Sequence, residues 1–291
     1  MKISIAGNAL ALLINIIFVS GLFAQENKTY PPTKFPDRVI LGYKTNPAVS
    51  QAVNWRTDST VSNAVGAIHE ADPSPDFVPN ARIVKAKSLP VILDGKTVHY
   101  HEVNFTDLKP STQYVYRVGG GQHWSEWFHF KTASDKQEPV SFLYFGDAQN
   151  DLRSLWSRTI RGAFATLPKA NLMIHAGDLI NRSNTDYEWG EWFEAGGWVN
   201  GMIPSLSSPG NHEYYKDKTI KRMFRTTGVR NLLYLKTGPR AYLKLHITLT
   251  TRAYVLFLLI LRQLCSILLF WTDRLSGLRI RLKPIPIAGP S

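Results

Sequence analysis

The 291-residue chain has room for two domains, and its 34 Lys/Arg against 22 Asp/Glu give a formal net charge of +12. The excess lies in the tail: Lys218 to Ser291 holds 14 basic residues and one acidic residue, Asp273, leaving 20 basic and 21 acidic residues in the first 217. A single cysteine, Cys265, excludes a disulfide framework, so an exported domain must rely on its core.

Residues 1–24 read as a secretory signal. Lys2 gives a short positive end, Ala9 to Phe18 an apolar run broken only by Asn15, and Leu22-Phe23-Ala24 a small-residue exit before Gln25. The run is shorter than the ~20 residues of a membrane span, so the expected location is secreted or periplasmic.

Residues 27–134 are rich in short β-type runs between turn residues: Arg38 to Tyr43, Gln51 to Arg56, Ala64 to His69, Ala81 to Lys87, Val98 to Phe105, Gln113 to Val118 and Glu126 to Lys131. Seven such runs with little helical periodicity predict a β-sandwich. Tyr114, Tyr116 and Val118 share one strand face by the period of two, Tyr114 has the setting of a tyrosine corner, and Trp55 is a core aromatic between the sheets. His99 and His101 are expected to face solvent: no carboxylate or cysteine accompanies them as a metal set, and Val98 and Tyr100 take the opposite, buried face. Trp124 and Trp127 form either a sugar-binding platform or packing at the sandwich edge.

After the polar linker Ala133 to Pro139 the pattern changes, and residues 138–217 read as an α/β unit. Val140 to Phe145 is continuously apolar, as in a strand covered on both faces. Asp151 is the expected N-cap of a helix over Leu152 to Thr166, with Leu152, Leu155, Trp156, Ile160, Ala163 and Phe164 in one apolar stripe, stopped by Pro168. Leu172 to His175 is the next strand, Tyr187 to Trp198 an aromatic-rich helix, and Ile203 to Pro209 the approach to a third site. Gly146-Asp147, Gly177-Asp178 and Gly210-Asn211 each follow an apolar run, at intervals of 31 and 33 residues between the polar members. Open α/β sheets bind ligands outside the carboxyl ends of their strands, so Asp147, Asp178 and Asn211 should converge there. Two cations ~3.5 to 4 Å apart need a shared carboxylate. Asp147 would hold one, Asp178 bridge, Asn211 hold the second, and His212 act as a leaving-group acid.

The blocks Gly146-Asp147-Ala148-Gln149, Gly177-Asp178-Leu179 and Gly210-Asn211-His212-Glu213 resemble the first three blocks of the calcineurin-like metallophosphoesterase superfamily. With the preceding β-rich region, the chain resembles a purple acid phosphatase-like protein. The resemblance implies an N-terminal fibronectin-III-like sandwich followed by an incomplete α/β metallophosphoesterase sandwich. It also implies two metal ions (Fe, Zn or Mn), a phosphate ester substrate and a metal-bridging hydroxide as nucleophile. A phosphodiesterase or nucleotidase of the same superfamily and a non-catalytic binding protein are the alternatives.

Two departures stand out. Purple relatives carry a metal-binding tyrosinate three residues after the bridging aspartate, where this chain has Asn181; Tyr187 is out of register. The later Val-x-x-His and Gly-His-x-His blocks are missing, and the only histidine after His212 is His246. Residues 218–291 read as an atypical basic, Leu-rich tail, the expected product of a shifted reading frame. The alternative is a membrane anchor at Ala253 to Trp271, where Arg262 would cost at least ~2.5 kcal/mol. Basic residues interleaved with Leu runs do not make a solvated nucleic-acid face.

Overall fold

The computed structural model describes residues 29–93, 95–207, 210–216 and 222–224. Residues 1–24, read above as a signal, His246 and all of residues 218–291 except Arg222 to Phe224 lie outside them. Among the described residues no helix is long and apolar enough to cross a membrane.

Nine strands build the first part: β1 (Asp37–Gly42), β2 (Gln51–Asp58), β3 (Val65–Glu70), β4 (Arg82–Lys85), β5 (Lys87–Leu93), β6 (Lys96–Phe105), β7 (Gln113–Gly120), β8 (His123–Trp124) and β9 (Phe128–Lys131), with one helical turn, α1 (Phe77–Asn80), before β4. They form two antiparallel sheets, β1-β2-β6-β5 and β4-β3-β7 with β8 and β9 both on β7. The run read as one strand, Ala81 to Lys87, is two: the chain changes sheets at Ala86, whose N–H donates to Ala64 O at 2.9 Å. Pro90 sits in β5, where the edge of a sheet tolerates its missing N–H.

The core between the sheets holds Trp55, Phe105, Tyr114, Tyr116, Val118 and Phe130 as the strand periods require. Tyr114 is a tyrosine corner: Lys109 N–H donates to its hydroxyl at 2.9 Å. The expectation of solvent-facing histidines on β6 fails. His101 is 1% exposed, stacks near Trp55 and reaches Thr57 Oγ1 at 2.7 Å and Ser88 Oγ at 2.8 Å; half-buried His99 donates from Nδ1 to Val61 O at 2.8 Å. The β1-β2-β6-β5 sheet is covered on both faces, which a two-layer sandwich does not allow for. Its far side meets the α/β part, where Ile40 joins the core with Leu143, Trp156 and Trp192.

That interface is also polar. Asp186 accepts from Arg38 Nη1 at 2.8 Å and from Arg56 Nη1 at 2.9 Å, and Arg56 also reaches Asp37 at 2.6 Å. Burial alone would raise the Asp186 carboxyl, but the two guanidinium groups outweigh it and hold the carboxyl below its ordinary range. Tyr116 hydroxyl donates to Gly201 O at 2.7 Å, and a Cβ on Gly201 would fall 2.5 Å from the Phe128 ring.

The second part runs β10 (Phe142–Phe145), a π-helical turn (Leu152–Trp156), α2 (Ser157–Thr166), β11 (Leu172–His175), α3 (Asp186–Gly196), α4 (Trp198–Met202), β12 (Ser205–Ser207) and the hairpin β13 (Tyr214–Lys216) with β14 (Arg222–Phe224). β10, β11 and β12 are parallel neighbours in that order. Among the described residues β10 pairs only with β11, and Tyr144 is 49% exposed, so one face of the strand is open and the expectation of cover on both faces is corrected. Asp151 is not a side-chain N-cap. Its backbone is left-handed (φ 50°), and its carbonyl accepts from Leu155 N at 2.7 Å and, more weakly, Trp156 N at 3.4 Å. The wide turn adds a residue to the register, which moves Leu155 off the apolar stripe to 47% exposure.

Candidate functional site

The register of the three parallel strands explains how distant residues meet. Phe145, His175 and Ser207 stand side by side at the strand ends, and strands lie ~4.8 Å apart. The loops that follow carry Gly146-Asp147, Gly177-Asp178 and Gly210-Asn211 out of the same sheet end. Asp147 N–H donates to Gly177 O at 3.3 Å, and His212 N–H donates to Asp178 Oδ1 at 2.9 Å. All four residues singled out from the sequence, Asp147, Asp178, Asn211 and His212, therefore sit on one connected group of loops. Asp147 and Asn211 are exposed, and Asp178 and His212 are half-buried.

The backbone here is unusual. Asp147 and Asp178 both have left-handed φ, 53° and 52°, which aspartate tolerates better than most residues and which costs of order 1–3 kcal/mol. Gly210 is required by space: a Cβ there would fall 2.2 Å from Asp178 Oδ1 and 2.5 Å from Asp178 N. After Asp178, the side chains of Leu179 and Ile180 plug into the core and anchor the loop from below.

His212 is held in one tautomer. Its Nδ1 lies 2.7 Å from Asn181 O, a carbonyl that can only accept, so the proton is on Nδ1 and Nε2 is the nitrogen left for chemistry. Glu213 has no exposed surface and gathers three backbone donors: Asp178 N at 2.9 Å, Leu179 N at 2.8 Å and Gly210 N at 2.7 Å. Burial pushes its carboxyl up, and the three N–H donors pull it back. It clamps the second block to the third. Arg182, one residue past Asn181, is fixed by Glu188 through Nε at 2.6 Å and its N–H at 2.6 Å.

Glu213 lies inside a block visible in the sequence, but nothing local marks it as a clamp. Gln149 is likewise missed by the sequence pattern. Its Oε1 is buried with no hydrogen-bond partner among the described residues, and Asn181 Nδ2 donates to Gln149 O at 3.0 Å and to Asn150 Oδ1 at 2.9 Å. Among the described residues no three His, Cys, Asp or Glu side chains gather as a metal set. The loops offer two carboxylates and amide oxygens, a donor set for a hard cation. Asp147, Asp178 and Asn211 carry the oxygens such an ion takes.

Away from this site, Trp124 and Trp127 do not present bare faces. The Arg117 guanidinium lies 4.3 Å from one ring centroid and 4.6 Å from the other, and Phe77 meets Trp127 edge-on at 5.0 Å. Tyr187 donates its hydroxyl to Glu191 Oε1 at 2.6 Å along α3.

Residues 36–132 match the family model of the purple acid phosphatase N-terminal domain, and residues 140–248 match that of the calcineurin-like phosphoesterase. The second match continues past residue 218, where the composition changes. Acid phosphatase type 7 of Homo sapiens is 28% identical over 214 residues, covering 68% of this chain and 45% of that protein. Acid phosphatase type 7 of Danio rerio is 31% identical over 127 residues, covering 41% of this chain and 27% of that protein. The chain thus spans less than half the length of these curated relatives. The purple acid phosphatase from yellow lupin (Lupinus luteus) seeds shares the fold at a TM-score of 0.52 and 17% identity, over 64% of this chain and 37% of that one.

Proposed function

We propose that this chain, a purple acid phosphatase-like protein with a calcineurin-like metallophosphoesterase domain, is a phosphoric monoester hydrolase whose site is the loop cluster of Asp147, Asp178, Asn211 and His212. The observation that carries the reading is the in-register delivery of three oxygen-bearing side chains to one sheet end, beside a histidine with a fixed tautomer. Asp147 would hold one ion, Asp178 would be shared, and Asn211 would hold a second through its amide oxygen. When bound, the ions supply charge neutralisation at the phosphoryl oxygens and activation of water.

The chain's own residues supply the rest. His212, tied through Nδ1–H to Asn181 O, directs Nε2 chemistry toward a leaving-group oxygen, to which its protonated form gives a proton. Glu213 keeps the Asp178 and Gly210 loops in contact. The only histidine after His212 is His246, so the chain is short of the imidazoles that favour Zn or Fe. We therefore expect weak metal affinity, a preference for Mn, and slow turnover. Export would follow from residues 1–24 as a signal.

The test is hydrolysis of 4-nitrophenyl phosphate and of its diester by the full chain with added Mn2+. The reading expects the monoester to turn over faster and activity to vanish in Asp178→Asn. A faster diester moves the reading to a phosphodiesterase, and an Asp178→Asn variant as active as wild type ends it.

A further inference from the structure

We infer that the outer face of the β4-β3-β7 sheet carries a binding site for an acidic glycan, with Arg117 as its carboxylate-binding group between Trp124 and Trp127. The site is independent of the metal-site reading above. On β7, Tyr116 and Val118 face the core, so Arg117 points to the outer face. Trp124 on β8 stands opposite Gly119, and Trp127 directly precedes Phe128, which stands opposite Tyr116. The two indoles therefore flank Arg117, whose guanidinium lies 4.3 Å from the Trp124 ring centroid and 4.6 Å from that of Trp127. Phe77 closes the row edge-on against Trp127 at 5.0 Å, whereas among the described residues no aromatic ring meets Trp124 at the other end.

Arg117 is a cation without a counterion. Among the described residues it makes no hydrogen bond or ion pair, exposed Glu126 included, and its Nε is buried without a partner. Burial, with no carboxylate to offset it, lowers the guanidinium from its ordinary value. A half-buried, uncompensated charge is costly, and an anion relieves that cost. Because indoles occupy both faces of the planar guanidinium, an anion reaches it only along the edge, where the solvent-facing Nη groups match the two oxygens of a carboxylate. Trp124 at the end of the row adds an apolar surface for the C–H face of a pyranose ring. A chain of uronic acid residues meets both demands: one ring covers Trp124 and the carboxylate of its neighbour bonds Arg117.

The experiment titrates the full chain with trigalacturonate, with its neutral methyl ester and with hexaglutamate, read from tryptophan fluorescence, for wild type and Arg117→Lys. Wild type is expected to bind trigalacturonate in preference to the other two. Arg117→Lys keeps the charge and the aliphatic stem but loses the fork, and should weaken trigalacturonate by ~10- to 100-fold. Its preference for the acid over the ester should shrink with that loss, a change that a purely structural role for Arg117 would not produce. The basic residues beyond Lys218 are the same in both proteins, so a general attraction for polyanions cancels in the comparison. Wild-type affinity in Arg117→Lys overturns the inference, as does a wild-type chain that binds the ester equally well or fails to bind trigalacturonate. Equal affinity for hexaglutamate assigns the site to an acidic peptide and overturns the glycan.

Discussion

Replacing Glu213 by alanine tests whether the site is held by its clamp. The substitution strands three backbone N–H groups, those of Asp178, Leu179 and Gly210, now 2.7–2.9 Å from the carboxylate. A stranded buried donor costs about 1–3 kcal/mol. Leu179 is buried and its N–H cannot be rehydrated without opening the loop, so it bears the full cost; Asp178 and Gly210 are half-buried and recover part of theirs from water. The gross loss is then roughly 3–5 kcal/mol, from which about 1–2 kcal/mol is subtracted because a buried carboxylate has been removed. A net destabilisation of about 1–4 kcal/mol should appear as a lowered urea midpoint at unchanged slope. A glutamine in place of the glutamate can offer one oxygen to at most two of the donors and turns its NH2 toward the third, so Glu213→Gln should fall between wild type and Glu213→Ala. An alanine variant within about 0.5 kcal/mol of wild type would refute the clamp.

Three further outcomes follow from particular contacts. Asp186→Ala removes the carboxylate that faces Arg38 and Arg56, whose side chains are 3% and 0% exposed, and should cost about 3–5 kcal/mol in the same urea assay. His175 is held down to about pH 3 and His101 to about 4 by burial, against an ordinary 6.5. Both are neutral in the fold and take up protons on unfolding, so the stability present above pH 6.5 is lost as pH falls toward those values. The loss is up to ~1.4 kcal/mol per pH unit for each, and His175→Phe should flatten the slope between pH 6 and 5. Removing the His212 acid by alanine should lower kcat about 10²- to 10⁴-fold on an alkyl phosphate and much less on an aryl phosphate, whose leaving group needs no proton; equal losses on both would place His212 in another role.

The parts of the fold written in local patterns were legible. The apolar runs that end in Gly-Asp, Gly-Asp and Gly-Asn became three adjacent parallel strands, because buried strands declare themselves by composition and the interval between them fits one helix. Tyr114 was legible because a tyrosine corner is set within five residues. What escaped depends on other layers or on distant partners. Pro90 hid β5, since a proline is admissible only at a sheet edge and edges are not visible in sequence. His101 looked solvent-facing because Val98 and Tyr100 claim a buried face of β6; in the fold both faces are covered, and His101 shares the inter-sheet face with Trp55, Val103 and Phe105 while Tyr100 meets Arg38 on the other. Leu155 left its stripe through a π turn that changes the period. Glu213 and Gln149 were unreadable for a stronger reason: each is defined by contacts across 30 or more residues, between loops whose meeting depends on the whole parallel sheet.

The measurement that tests the central claim most directly is hydrolysis of 4-nitrophenyl phosphate by the chelator-stripped full chain as Mn2+ is added back, beside Asp178→Asn under the same conditions. The account predicts no activity in the stripped chain, a rate that rises and saturates with Mn2+ in wild type, and none at any Mn2+ concentration in the variant. Activity that is indifferent to the chelator, or equal in the two proteins, would contradict it.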